Sequence, residues 1–297
     1  MLKNKRAYIE TLVLFVIVMV TKYLFDATDI YGNAYIYDSP IFTLIGQAWT
    51  DGIIPYRDLF DHKGPILFLF HAIAAWIQNG IVGIMIVTAL NLTIALRLIL
   101  SISRELLPKQ SNKIHYLVVI SSLIFFRLTH ESVGISEELS LVFILLPLLL
   151  CVKHLTKVMG GGKLFNQHPY SYSFAYGACF AAIAMIRVNN APMNVGIVIG
   201  FLILMLRGKH YKELLYNAFY CLLGFLAVIL PIIAYFSYHD ALYEMIYATF
   251  IFNWKYRAAD IGFHQEVIQN LLWLIPCFYL MVVSILRDRK LGSVYSY

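Results

Sequence analysis

Charge is scarce in this chain. Of 297 residues only 13% are Asp, Glu, Lys or Arg, while 60% are hydrophobic. A soluble core of this size does not need so little polar surface, and no stretch is long or polar enough for a separate soluble domain. Cysteine is also sparse. Cys151, Cys179, Cys221 and Cys277 each fall inside an apolar run without CxxC or Cys/His spacing, which argues against a disulfide framework or a zinc site and leaves them as small packing residues. No small-residue cleavage site ends the first apolar run, so it reads as an uncleaved anchor. The run Gly160–Gly162 before Lys163 lacks the strand and spacing of a phosphate-binding loop and reads as a flexible linker. There is no internal repeat and no matched pair of Gly/Pro-interrupted spans, which counts against a transporter.

What is present is a series of apolar runs near the roughly 20 residues that a spanning helix needs. The expected fold is an all-α polytopic membrane protein, one domain over residues 1–297, with about eight transmembrane helices and membrane-parallel or re-entrant helices in the first extracytoplasmic loop. The expected spans are Tyr8–Phe25, Ile81–Ile102, Ile114–Leu128, Leu139–Val152, Tyr172–Ile186, Met193–Leu206, Leu214–Phe236 and Val267–Leu286. Pro65–Gln78 is apolar but short, and the charges decide that it does not cross. If it did, Arg104, Lys109 and Lys113 would lie outside and Glu131, Glu137 and Glu138 inside, against the positive-inside rule. With it as a non-crossing helix both termini are cytoplasmic and the first extracytoplasmic loop covers about residues 26–80. The net charge of +6 thus marks one side of a bilayer and gives no reason to expect a nucleic-acid partner.

The stretch DSPIFTLIGQAWTDGIIPYRDLFDHKGP, Asp38–Pro65, concentrates Asp38, Asp51, Asp58, Asp61, Arg57, His62 and Lys63. So many charges in one loop of a charge-poor membrane protein mark a candidate site. Asp38 heads an amphipathic segment with Ile41, Phe42, Ile45 and Trp49, and reads either as a helix cap or as a base. Lys63 either snorkels or binds an anionic head group. Glu137 and Glu138 head a span, where capping, catalysis and binding of magnesium or manganese are all open. Arg187 and Asn190 lie in the corner RVNNAP, and an arginine at an outward span end suggests a phosphate or a carboxylate partner. Trp254 and Tyr256 in the last outer loop suit an interfacial belt better than stacking on a sugar ring.

Asp38, then Gly52-Ile53-Ile54-Pro55-Tyr56, then Asp61-His62-Lys63-Gly64-Pro65-Ile66 resembles the glycosyltransferase C superfold, within it the protein O-mannosyltransferase-like and aminoarabinose-transferase-like enzymes. Those carry an acidic residue, a G-x-x-P-Y segment and a D-x-K-P-P-L segment in that order. Gly64 stands in place of the first proline, and Ser39 where a second acidic residue often follows. The close match covers this stretch alone. The resemblance implies an inverting membrane glycosyltransferase that takes a sugar from a polyprenyl-phosphate or diphosphate donor to a lipid, glycan or protein acceptor. Asp38 and Asp61 would be catalytic, Asp38 as general base, and Tyr56, Arg57, Lys63, Arg187 and Asn190 would bind substrate. The expected location is a bacterial plasma membrane with the site on the outer face. A lipid or solute transporter, or a non-catalytic membrane scaffold, is the alternative.

Overall fold

The computed structural model describes residues 2–33, 38–129, 133–159 and 168–255. The expected span Val267–Leu286, Glu131 and Tyr256 lie outside them. The elements are α1 (Leu2–Asn33), α2 (Ser39–Thr50), α3 (Pro65–Ile77), α4 (Ile81–Leu106), α5 (Asn112–Thr129), α6 (Ser136–Met159), α7 (Tyr170–Arg187), α8 (Pro192–Arg207), α9 (Tyr211–Tyr238) and α10 (Leu242–Ile246), with no strand among the described residues. A π-helical turn, Tyr247–Phe252, follows α10. The chain divides into one compact unit, Met1–Thr249, and a second, Phe250–Tyr297; the first carries everything below.

Among the described residues, five helices are long and apolar enough to cross a membrane: Ala7–Leu24, Ile81–Leu106, Ser136–Val158, Tyr170–Asn190 and Tyr211–Tyr238. The expected spans Ile114–Leu128 and Met193–Leu206 form as α5 and α8 but are not among those five, so about eight crossings is more than the described residues support. Local chemistry accounts for several helix starts. Pro40, Pro65 and Pro192 occupy the first turns of α2, α3 and α8, where the missing N–H costs no helical bond. Pro147 instead lies inside α6 and frees the carbonyl four residues back. That carbonyl, Phe143 O, accepts Asn194 Nδ2 of α8 at 3.1 Å, as an apolar surrounding requires.

Side-chain pairs fix the directions of α1, α4, α6 and α7. Glu10 near the start of α1 bonds Arg97 at 2.8 Å and Arg104 at 3.0 Å near the end of α4. Lys22 near the other end of α1 meets Glu138 at the head of α6. Arg187 at the end of α7 also meets the head of α6, at Glu137. Arg104, Lys153 and Lys157 share one hollow. The bundle therefore has a basic end and an end that collects Glu137, Glu138, Arg187 and the 38–64 stretch.

At that second end α3 lies across the bundle. Its first residue follows Gly64, whose N–H donates to Ile186 O of α7 at 3.0 Å. Mid-helix, His71 Nε2 donates to Gly134 O just before α6 at 2.9 Å. Its last turn, at Ala74 and Gln78, packs against Gly83 in the first turn of α4. All three contacts are at the same end of α4, α6 and α7, so α3 returns the chain to the side it came from. Cysteines at exposed Asp51 and Asn79 are therefore expected to react with a membrane-impermeant maleimide from one side, and a cysteine at Gln110 only from the other. Reaction of the Asn79 probe from the Gln110 side would overturn this arrangement.

Candidate functional site

The 38–64 stretch is a folded scaffold. Gly52 takes φ 89°, open to glycine without strain. Asp58 Oδ2 accepts the Ile54 N–H at 2.8 Å and the Asp58 N–H donates to Ile54 O at 3.0 Å, so the two residues close the turn between them. Tyr56 takes φ 71°, an uncommon conformation for an aromatic residue, and surrounding bonds hold it there: its N–H donates to Leu59 O at 2.8 Å and its hydroxyl to Lys63 O at 2.7 Å. Its ring packs on Phe68 and Phe236 in a core with Phe42, Ile45, Leu139 and Ile186. Burial pushes the Tyr56 hydroxyl well above its ordinary pKa. Trp49 Nε1 donates to Tyr235 OH at 2.6 Å, tying α2 to α9. Tyr56, expected to bind substrate, is 5% exposed, and its contacts make it the brace under Lys63.

Gly64 is explained by the same docking. A proline there would lack the N–H that bonds Ile186 O, and any Cβ would run into the Met185 backbone. The chain departs from the D-x-K-P-P-L pattern where its backbone presses on α7.

Around this brace the charges meet. Asp38 is the N-cap residue of α2, yet its side chain makes no capping bond; its backbone carbonyl alone accepts from Ile41 and Phe42. The Asp38 carboxylate is 66% exposed, with Oδ2 3.7 Å from the 7%-exposed Lys63 Nζ. At that distance the attraction is Coulombic, longer than a hydrogen bond. Lys63 Nζ also donates to His62 Nε2 at 2.9 Å and sits 5.5 Å over the Phe42 ring, a cation–π contact. Asp61 Oδ1 accepts the Lys63 N–H at 2.8 Å and lies 4.0 Å from His62 Nδ1, so this second expected catalytic carboxylate holds Lys63 and His62 in place. Burial, then Lys63, lowers the His62 pKa, with Arg187 adding to the same effect. The structure thus brings Asp38, Asp61, His62, Lys63 and Arg187 into one electrostatic neighbourhood. Arg57 is engaged elsewhere, paired through two nitrogens with Asp58 at 2.9 Å and donating to His239 O at the end of α9.

The two adjacent glutamates separate. Glu137 takes Arg187 Nη1 at 2.5 Å and accepts Ser136 Oγ, and Asn190 Nδ2 donates to Ser136 O and Ser140 Oγ. Asn190 therefore ties the α7–α8 corner to the head of α6. Glu138 is fully buried, with one oxygen on Lys22 Nζ at 2.5 Å and the other accepting Gly134 N–H at 3.0 Å. With both oxygens engaged, Glu138 is not placed to share a cation with Glu137. Among the described residues no three His, Cys, Asp or Glu side chains gather as a metal site.

Lys22 was not singled out from the sequence. A signal was there: a lone lysine inside the apolar run Tyr8–Phe25 needs a partner in the membrane. Its partner is far along the chain, which periodicity does not reveal.

Two outcomes follow from this geometry. Removing one member of a buried ion pair costs about 3–5 kcal/mol because the other charge is left stranded. Lys22→Met or Glu138→Gln is therefore expected to lower the melting temperature in detergent markedly, and the pair replaced together by Met and Leu to restore much of it; unchanged melting in both single variants would refute the pair. For His62, the folded pKa lies below the ordinary 6.5. Between the two values the unfolded chain binds more protons, so stability is full above about 6.5 and falls as pH drops toward the folded value. His62→Gln is expected to flatten that acid-side decline in melting temperature.

No family model, curated protein or solved structure matches this chain.

Proposed function

We propose that the chain is an integral membrane glycosyltransferase that moves a sugar from a polyprenyl-phosphate or diphosphate donor to an acceptor on the extracytoplasmic face, with inversion. The observation that carries this reading is Asp38: an exposed carboxylate, free of the capping bond its position invites, held 3.7 Å from a buried lysine. The end of the bundle away from Arg104, Lys153 and Lys157 is extracytoplasmic by the positive-inside rule, and α3 lies along the membrane there. Asp38 takes the proton of the acceptor hydroxyl as its oxygen bonds the anomeric carbon. The bond from that carbon to the phosphate oxygen breaks, and the electron pair leaves with the lipid phosphate. Lys63, and the part of the Arg187 fork not on Glu137, stabilise the charge that builds there. His62, neutral because its pKa is lowered, adds no competing charge beside Lys63 and keeps its ammonium oriented.

The buried Lys22–Glu138 pair favours a second reading, a transporter, in which an intramembrane ion pair lies on the substrate path. Solute or lipid flux in vesicles that depended on this pair, without sugar transfer, would select it.

The test uses the full-length chain in native membranes with radiolabelled polyprenyl-phosphate sugars. Asp38→Asn is expected to lower label transfer by about 10²- to 10⁴-fold while donor binding persists. Lys63→Met and Arg187→Met are each expected to raise the dissociation constant of the polyprenyl phosphate by roughly ten- to a hundred-fold, the worth of a charge-assisted hydrogen bond. Transfer at the wild-type rate in Asp38→Asn, or unchanged lipid binding in both methionine variants, would overturn the assignment.

A further inference from the structure

A cavity of about 470 Å³ lies between α7, α8 and α9, within the size range of small-molecule sites. None of the residues assigned to sugar transfer lines it. It opens sideways, since Val198, Leu202 and Leu222 line it and are themselves 37%, 40% and 53% exposed. Two of its three helices are among those long and apolar enough to cross a membrane, so the opening faces hydrocarbon and its occupant comes from the bilayer.

The walls are apolar except at a few atoms, and three of those atoms are unpaired. His168 Nε2, Tyr176 OH and Asn194 Oδ1 have no hydrogen-bond partner, in lining residues that are only 4%, 3% and 1% exposed. Unpaired polar atoms are costly in such a place. Neighbouring bonds fix what two of them need. Asn217 Nδ2 donates to Glu213 O at 2.8 Å, which turns Asn217 Oδ1 toward His168 Nδ1 at 2.8 Å. The His168 proton is therefore on Nδ1, and Nε2 presents a bare lone pair. Burial brings the His168 pKa down to about 4, so the ring is neutral. Asn194 spends its Nδ2 on Phe143 O and likewise presents an acceptor. The cavity thus asks for O–H donors.

It does not ask for charge, because no Asp, Glu, Lys or Arg lines it; an anionic head group would be desolvated there without a counter-ion. The end with most polar atoms is also aromatic. His168 and Tyr176 ring centroids are 5.8 Å apart, and Phe201 packs on both, at 4.6 Å and 6.0 Å.

We propose that this cavity is a binding site for an uncharged, hydroxyl-bearing membrane lipid of the acylglycerol class, its head on His168 Nε2 and Tyr176 OH and its chain along the apolar walls of α8 and α9. The site is independent of the sugar-transfer reading and stands whether or not that reading holds.

The experiment uses the full-length protein in nanodiscs with a monoacylglycerol that carries a diazirine and an alkyne in its chain. Ultraviolet crosslinking is expected to be saturable, to map to α8 or α9 peptides, and to be competed by unlabelled monoacylglycerol but not by phosphatidic acid of the same chain length. His168→Phe with Tyr176→Phe is expected to weaken it by roughly ten-fold or more, the scale of lost hydrogen bonds. Val198→Trp, placed at the membrane opening and away from the core, is expected to block it without lowering the melting temperature. Absence of saturable labelling overturns the proposal. Equal competition by phosphatidic acid, or labelling unchanged in every variant, overturns it as well.

Discussion

One backbone hydrogen bond, Gly64 N–H to the Ile186 carbonyl, sets the register between the first loop and the helix bundle. It fixes where the chain turns into α3, and the glycine lets the two backbones close to a distance that no side chain would permit. On one side of it lies Lys63, whose carbonyl is held by Tyr56 and whose N–H is held by Asp61. On the other lie Met185, Ile186 and then Arg187. Lys63 and Arg187 come from segments far apart in sequence, and this bond is what makes them neighbours. A water-exposed loop would leave such a lysine mobile; here Phe42, His62 and the core beneath restrict it.

The second constraint is the price of charge in an apolar bundle. Glu10 is satisfied by Arg97, Arg104 and Tyr116 at the basic end, and Lys22 by Glu138 at the other. Each pair staples α1 to the rest by an interaction that lipid cannot replace. Glu138 also accepts from Gly134 N–H and Asn91 donates to its carbonyl, so the head of α6 is held from three sides. Glu137, one residue earlier, is left half-exposed to face Arg187. Adjacent carboxylates of the same type thus acquire different work through the 100° step of the helix, which turns one inward and one toward the site.

The exposed Asp38 stands out against this background. Unlike Glu10, Glu137 and Glu138, its carboxylate is neither capped nor hydrogen-bonded to the cation beside it. A group in that condition can change its partners without dismantling the fold. The surrounding residues contribute by position: Tyr56 as a buried brace, Asp61 as a turn former, Asn190 as a clasp between helices.

Hydrophobic runs sufficed for the helices, for the shortness of the apolar stretch after Gly64 and for the gathering of charged residues in the 38–64 stretch, because burial and charge are properties that local composition carries. Short motifs were enough to place Asp38, Lys63 and Arg187 among the candidates. They were not enough to assign roles. Tyr56 and Glu138 read as site residues because a sequence shows that a polar group is present and not what satisfies it; only the tertiary contacts reveal that the Tyr56 hydroxyl is spent on Lys63 O and the Glu138 carboxylate on Lys22 and Gly134. The same holds for the cavity at His168 and Tyr176, whose unpaired atoms come from the way α7, α8 and α9 happen to leave space between them. Composition decides which segments leave water, since transfer free energy is a sum over nearby residues. Which polar atoms find partners depends on distances between segments far apart in the chain, and those exist only once it has folded.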